Sequence, residues 1–487
     1  MRALFLFLLA APLAAAQGPA ADDTPVAVAA ADDAERVRAL LAEGAWHPAL
    51  PELYADRDHA LAWPTDHARL DARLDAASAD GLLPHETRSA ERRDLRTADD
   101  PVRRDLVLTD ALLRLAEALA GLRVDPESIH EGHWYLTREV KRRRQSDPAD
   151  IVRQSLDADD PVSAVLAALD ALHPPHPEYH ALRRELKRRL SLDYAAVQPA
   201  SPRTAVGAAV WPEGATAEYA PDVIARLRLN LERWRWLPHR FGTEHVLVNV
   251  PAARLRLRDG DSTVLDMTAT VGQPEPDWQT PVLSDPIRSV AFFPTWTPTV
   301  TIQRREIIPQ AREDGGQGLY EKGFDVYRGG RRLDPRDVDW SRARAGQYRI
   351  VQRGGPQGAL GRVKFVMPNP YYILIHDTST PEEFDGDERA LSHGCVRAED
   401  PGALADAILT RTNGWSSTRA SEMIEGRPRS SGVRLRERFP VHIVYFTAWP
   451  GESGDVDTFE DLYGRDAELA AALGIDLGEP AVHAAER

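Results

Sequence analysis

A single cysteine, Cys395, occurs in this 487-residue chain, and it sits in the run Ser392-His393-Gly394-Cys395-Val396-Arg397. Upstream, the apolar run Tyr371-Tyr372-Ile373-Leu374-Ile375 ends on His376-Asp377-Thr378. An isolated cysteine is ordinarily a small apolar packing group, but these neighbours point to chemistry. A strand ending at His376 and a loop returning through a glycine would bring an imidazole base to a thiol. A free thiol titrates near ~8.5 and only its thiolate attacks, so a base within hydrogen-bond reach is the usual means of activation. Gly394 permits a backbone conformation closed to other residues and leaves room for a substrate carbonyl. The amides of Gly394 and Cys395 are candidates for an oxyanion hole, each such donor being commonly worth about 3 to 4 kcal/mol. Arg397 offers a fork to a carboxylate, unless it is held in an ion pair by Glu399 or Asp400. His393 is too close in sequence to Cys395 to aim at its thiol, so with Ser392 it is expected to shape the turn.

The elements that must position these residues divide the chain in two, and the fold class expected is α+β. From 31 to 197 the apolar residues recur at helical spacing, as in Val37, Leu40 and Leu41 or Leu108, Leu112, Leu115 and Leu119. Proline-containing stretches at Pro51, Pro64, Pro126 and Pro174-Pro175 separate these helices. Residues 198–225, rich in Ala, Pro and Gly, read as a linker. From 226 to 466 short β-branched runs predict strands at 246–250, 253–257, 264–271 and 371–375. Between them lies a polar insertion of about 280–344 carrying Trp296, Tyr320, Tyr327 and Trp340; a connection that long is usually functional, often a lid. Residues 467–487 are expected to be a tail.

Composition narrows the function. The net charge of −15 argues against nucleic acid or an anionic membrane surface as partner, and the basic run Lys141-Arg142-Arg143-Arg144 is expected to be a solvated helix face. Residues 1–16, with Arg2, an apolar core and Ala14-Ala15-Ala16, have the parts of a secretory signal peptide, and no later segment predicts a membrane span. With one cysteine no intramolecular disulfide can form. A monomeric protein exported to the periplasm is expected, without cofactor or metal.

The ordered set His376, then Ser392-His393-Gly394-Cys395-Val396-Arg397, resembles the active-site signature of the L,D-transpeptidase catalytic domain. Gly361-Arg362-Val363-Lys364-Phe365, the run from Asn230 to Pro238, Val444-Tyr445-Phe446-Thr447-Ala448-Trp449, Leu53-Tyr54-Ala55 with Trp63, and Leu108-Thr109-Asp110 are similar to the large Gram-negative branch with a helical scaffold and a capping lid. The resemblance implies Cys395 as nucleophile and His376 as base, the latter oriented by a backbone carbonyl at Asp377 or Thr378. It implies Trp296, Arg362 and Lys364, beside Arg397, as substrate-binding residues. It further implies that a stem tetrapeptide of peptidoglycan loses its terminal D-alanine to a Cys395 thioester, which the side-chain amine of diaminopimelate (mDAP) on an acceptor stem then resolves into an mDAP-mDAP (3-3) cross-link. The same chemistry with water or a lipoprotein lysine as acceptor is the nearest alternative; a zinc site built on His376, His393 and Cys395, or a non-catalytic wall-binding scaffold, would be of another class. One departure stands out: 190–223 is too short and too poor in apolar periodicity for the small peptidoglycan-binding module common in that branch.

Overall fold

The computed structural model describes residues 24–63, 67–196, 221–426, 429–451 and 455–478; the expected signal peptide and most of the expected linker lie outside them. The architecture is α+β, a helical N-terminal part followed by a curled, mostly β domain. Among the described residues five α-helices open on an Asp-Pro pair, at Asp100, Asp125, Asp147, Asp160 and Asp400, where each aspartate caps a backbone amide of the first turn. Aspartate satisfies an orphan N–H and proline at the first helical position loses nothing by lacking one. Pro126 therefore starts a helix as well as separating two.

The helix Pro101–Leu119 is the axis of the first core, with Leu108, Leu112, Leu115 and Leu119 all buried. Two of the quoted sequence runs meet on it. Asp105 accepts the Ala62 and Trp63 amides at 2.9 and 2.7 Å, and Thr109 Oγ1 lies 2.9 Å from both Tyr54 Oη and Trp63 Nε1. The basic run behaves differently from expectation. Arg143 donates to the Leu237 and Arg235 carbonyls, and Arg144 to those of Val124 and Gly121. These two guanidiniums satisfy loop carbonyls that the fold would otherwise bury unpaired, while Lys141 and Arg142 remain on the surface side.

Helix Pro221–Arg235 begins inside the stretch expected as linker and joins the two parts. Its Glu232 is fully buried between Arg123 of the helical part (2.6 Å) and Arg235 (2.8 Å), and Arg233 reaches Asp466 at 2.5 Å. Trp234 stacks on Phe446 at 4.5 Å, and Asn230 bonds Thr447.

The strands are β1 (Glu244–Asn249), β2 (Arg254–Asp259), β3 (Ser262–Gly272), β4 (Leu283–Ser284), β5 (Ile287–Phe292), β6 (Phe324–Arg328), β7 (Arg331–Leu333), β8 (Arg349–Gln352), β9 (Val363–Val366), β10 (Ile375–His376), β11 (Ala390–Ser392), β12 (Val396–Ala398), β13 (Ser431–Phe439), β14 (Val441–Val444), β15 (Ala448–Pro450) and β16 (Val456–Thr458). The main sheet runs β13-β5-β9-β10-β12-β3-β2-β1-β14-β4, with β11 beside β3. The strand expected at 371–375 shrinks to β10 because Asn369 folds the preceding residues into a turn: its Oδ1 accepts the Tyr371 and Ile373 amides and its Nδ2 donates to the Met367 and Ile373 carbonyls. The first part of the expected insertion, through β4 and β5, belongs to the main sheet. The remainder, extended to β8, is an ordered subdomain, with the sheet β7-β6-β8 and its own core of Ile302, Ile307, Leu319, Phe324, Trp340 and Ile350. The C-terminal stretch is likewise folded to 478, its helix Arg465–Leu473 burying Leu469 and Ala470 in the main core. Among the described residues no helix is long and apolar enough to cross a membrane.

Candidate active site

Register decides which side chains meet. Across the sheet Lys364 on β9, His376 on β10, Arg397 on β12 and Thr270 on β3 stand opposite one another in one row. Opposed residues share a face of a sheet, and so do residues two apart along a strand. Lys364, His376, Arg397 and Cys395, the last just ahead of β12, are thereby gathered on one face. The alternate row of Val290, Phe365, Ile375 and Val396 is wholly buried in the core behind it.

His376 is 4% exposed, and its Nδ1 lies 2.5 Å from the Asp377 carbonyl oxygen. A carbonyl can only accept, so Nδ1 carries the proton and Nε2 is left to take one. Of the two carbonyls expected to orient the ring, Asp377 supplies it. Asp377 is itself fixed, its carboxylate accepting the Arg362 amide at 2.6 Å and the Thr378 amide at 2.8 Å. The turn before Arg362 needs Gly361: φ is +58°, and a Cβ there would stand 2.4 Å from Asp377 Cγ. Arg362 thus acts through its main chain, with an exposed side chain. The Thr378 hydroxyl accepts the Thr380 amide and organises the following loop.

The cysteine turn is built around a serine. Ser392 Oγ accepts the Gly394 amide at 3.1 Å and donates to the Cys395 carbonyl at 2.5 Å. Gly394 has φ +103°, as the resemblance and the steric argument for glycine require, but its amide is committed inward to Ser392 and does not serve with that of Cys395 as an outward donor. Thr280, fully buried, donates to the Gly394 carbonyl at 2.9 Å and accepts the Gly272 amide at 2.8 Å; Tyr463 Oη bonds the Gly272 carbonyl and the Thr280 amide. Thr280 and Tyr463 carry no local motif, and their role arises only from the return of distant strands. The thiol is half-buried, its Sγ 3.9 Å from the Tyr372 carbonyl.

Charge around the thiol is positive. Burial, then the neighbouring Arg397 and Lys364 charges, push His376 down to about 3. Burial raises the Cys395 thiol, against the pull of the Leu374 amide and of Arg397 and Lys364. Both shifts favour the neutral form of each group. Arg397 is paired, but with Glu383 at 2.6 Å rather than with Glu399 or Asp400; Glu399 instead accepts the Thr268 amide and Asp400 caps a helix. Lys364, whose ammonium burial holds below its usual range, has no carboxylate partner among the described residues.

The capping subdomain reaches the turn. The π-helical turn Gln303–Ile307 presents Glu306 to His393 Nε2 at 2.5 Å, and Trp278 packs edge-on to the His393 ring at 4.5 Å. Such π-turns recur at functional sites. His393 therefore faces the cap, not the sulfur. Trp296 packs at the root of the cap, edge-on to Phe324 and bridged through its backbone to Gln352. Among the described residues no three His, Cys, Asp or Glu side chains converge as a metal site.

Comparison with known proteins fits this geometry. The family model for the L,D-transpeptidase catalytic domain matches residues 243–432, and a scaffold-domain model matches residues 48–186. A Haemophilus influenzae protein described as "Putative L,D-transpeptidase" is 31% identical over 254 residues, which cover 52% of this chain and 50% of that protein. The match spans about half the length of that relative.

Proposed function

We propose, for a chain that carries an L,D-transpeptidase catalytic domain behind an N-terminal scaffold domain, that it forms mDAP-mDAP (3-3) cross-links in peptidoglycan through a Cys395 thioester. The observation that carries the proposal is the single sheet face on which a partly exposed thiol stands with an imidazole whose Nδ1 is tied back to Asp377, leaving Nε2 to act. His376 Nε2 takes the thiol proton as the sulfur attacks the carbonyl joining the third residue of the donor stem to D-alanine. The developing oxyanion is met by the Cys395 amide. His376 returns the proton to the departing D-alanine amine, and the thioester is resolved by the mDAP side-chain amine of an acceptor stem, whose excess proton passes to His376 and then to the freed thiolate. With Arg397 neutralised by Glu383, Lys364 is the cation available to a donor carboxylate, a charge-assisted contact of the stronger kind. The protein works as a monomer in the periplasm after export through residues 1–16.

The test is to incubate purified protein with disaccharide tetrapeptide and identify the products by mass spectrometry. A dimer that has lost one D-alanine supports the proposal, together with a carbapenem adduct on Cys395 that disappears in Cys395→Ser. Tripeptide alone would assign water as acceptor instead, and transfer to a lipoprotein lysine would assign an anchoring enzyme. Cross-linking that survives in Cys395→Ala removes the thioester altogether.

A further inference from the structure

Among the described residues Tyr372 is the most exposed large hydrophobic one, at 76%, and it stands at the rim of the sulfur: its own carbonyl is the group 3.9 Å from Cys395 Sγ. Its backbone is also costly. With φ +59° it occupies the left-handed region, which an aromatic residue enters rarely and which glycine or asparagine would occupy with less strain. Nothing in its packing requires an aromatic ring there, since the ring is in solvent. Its neighbour Tyr371, by contrast, is spent on structure, edge-on to Tyr135 of the helical part, over which Lys141 lies. The Asn369 side chain then locks the turn by accepting the amides on either side of Tyr372. Strain kept in place by surrounding bonds, in a side chain that contributes no packing, is the pattern of a ligand-facing residue.

We propose that Tyr372 is a positioning residue for the acyl donor, its ring covering the donor stem peptide beside the carbonyl that Cys395 attacks. The inference rests on the function proposed above. The ring is rooted one carbonyl away from the sulfur, so it contacts the peptide near the bond that breaks rather than the distant sugar. Its chemistry suits the apolar backbone edge and methyl group of a D-alanyl terminus, with the phenol at the wet side, as amphipathic aromatics serve at binding surfaces.

Binding of disaccharide tetrapeptide is measured by calorimetry on Cys395→Ala protein, where turnover cannot occur, with and without Tyr372→Asn; transfer kinetics are measured on the intact enzyme with Tyr372→Asn and Tyr372→Phe. Asparagine tolerates the left-handed backbone, so Tyr372→Asn is expected to melt at the parent temperature or above while donor affinity falls on the order of tenfold, the scale of losing one partly buried ring. Tyr372→Phe is expected to keep donor KM within about twofold, because the contact is made by the ring face. Unchanged affinity and KM in Tyr372→Asn, with dimer still formed by the parent enzyme, overturns the role of Tyr372 alone. A melting temperature that falls in step with affinity overturns it too, since that marks a structural residue. Absence of donor binding by the Cys395→Ala parent overturns this inference and the proposed donor together.

Discussion

The neutral resting state of the thiol and imidazole can be tested by following two reactions of the same sulfur across pH. Burial pushes the Cys395 thiol above its ordinary range, while His376 is held at about 3 by burial and by Arg397 and Lys364. Both displacements oppose transfer of the proton from sulfur to nitrogen at rest, so a preformed thiolate-imidazolium pair is the minor form and the thiol is mostly protonated at pH 7. Iodoacetamide, which needs a ready-made thiolate, should alkylate Cys395 slowly at neutral pH and about tenfold faster per unit as the pH rises above 7. Acylation by a substrate or carbapenem is different, because the proton moves to Nε2 only as the carbonyl is attacked. A depressed imidazole is present as free base at every pH above about 3, so the acylation rate should stay level from about pH 5 to 8. Both profiles are read as mass shifts at the only cysteine. An alkylation rate already high and level between pH 4 and 8, falling only at lower pH as the sulfur takes up a proton, would show a standing ion pair and refute the reasoning.

Other perturbations follow from particular bonds. Ser392→Ala removes the hydroxyl that joins the Gly394 amide to the Cys395 carbonyl; with both groups left unpaired, stability should drop by about 1–3 kcal/mol and acylation by more than tenfold, seen in urea unfolding and single-turnover kinetics. Glu306→Gln weakens the contact of the cap with His393; donor KM should rise by several-fold while the unfolding midpoint moves by less than about 0.5 kcal/mol equivalent, as for a partly exposed ion pair. Glu232→Ala leaves Arg123 with Glu86 alone and strips Arg235 of its carboxylate in the interior between the helical part and the β domain, which should cost about 3–5 kcal/mol in chemical denaturation.

What the sequence makes legible here is local. Cys395, His376 and Gly394 stand out because a thiol, a base and a left-handed glycine have few other uses in that order, and the helical half announces itself through leucine spacing. The sequence does not display partners brought in from elsewhere. Arg397 has Glu399 and Asp400 as acidic neighbours two and three residues away, yet Glu399 is taken up by the Thr268 amide and Asp400 by the helix it caps, so the acid Arg397 meets is Glu383 from the preceding loop. The Gly394 amide looks free in a linear motif because nothing there says that Ser392 will turn back on it. The strand expected before His376 fails for a related reason: β-branched and aromatic composition favours extension, but one asparagine side chain offers the backbone four competing hydrogen bonds and bends it at Tyr372. These three departures bear on one mechanism. With Arg397 paired, Gly394 spent and the chain bent, the mechanism proposed above assigns carboxylate recognition to Lys364, oxyanion support to the Cys395 amide, and the rim of the sulfur to an exposed tyrosine. A motif can therefore propose reacting atoms by residue type while leaving open which groups face a substrate, because those are set by register and by partners brought in from elsewhere.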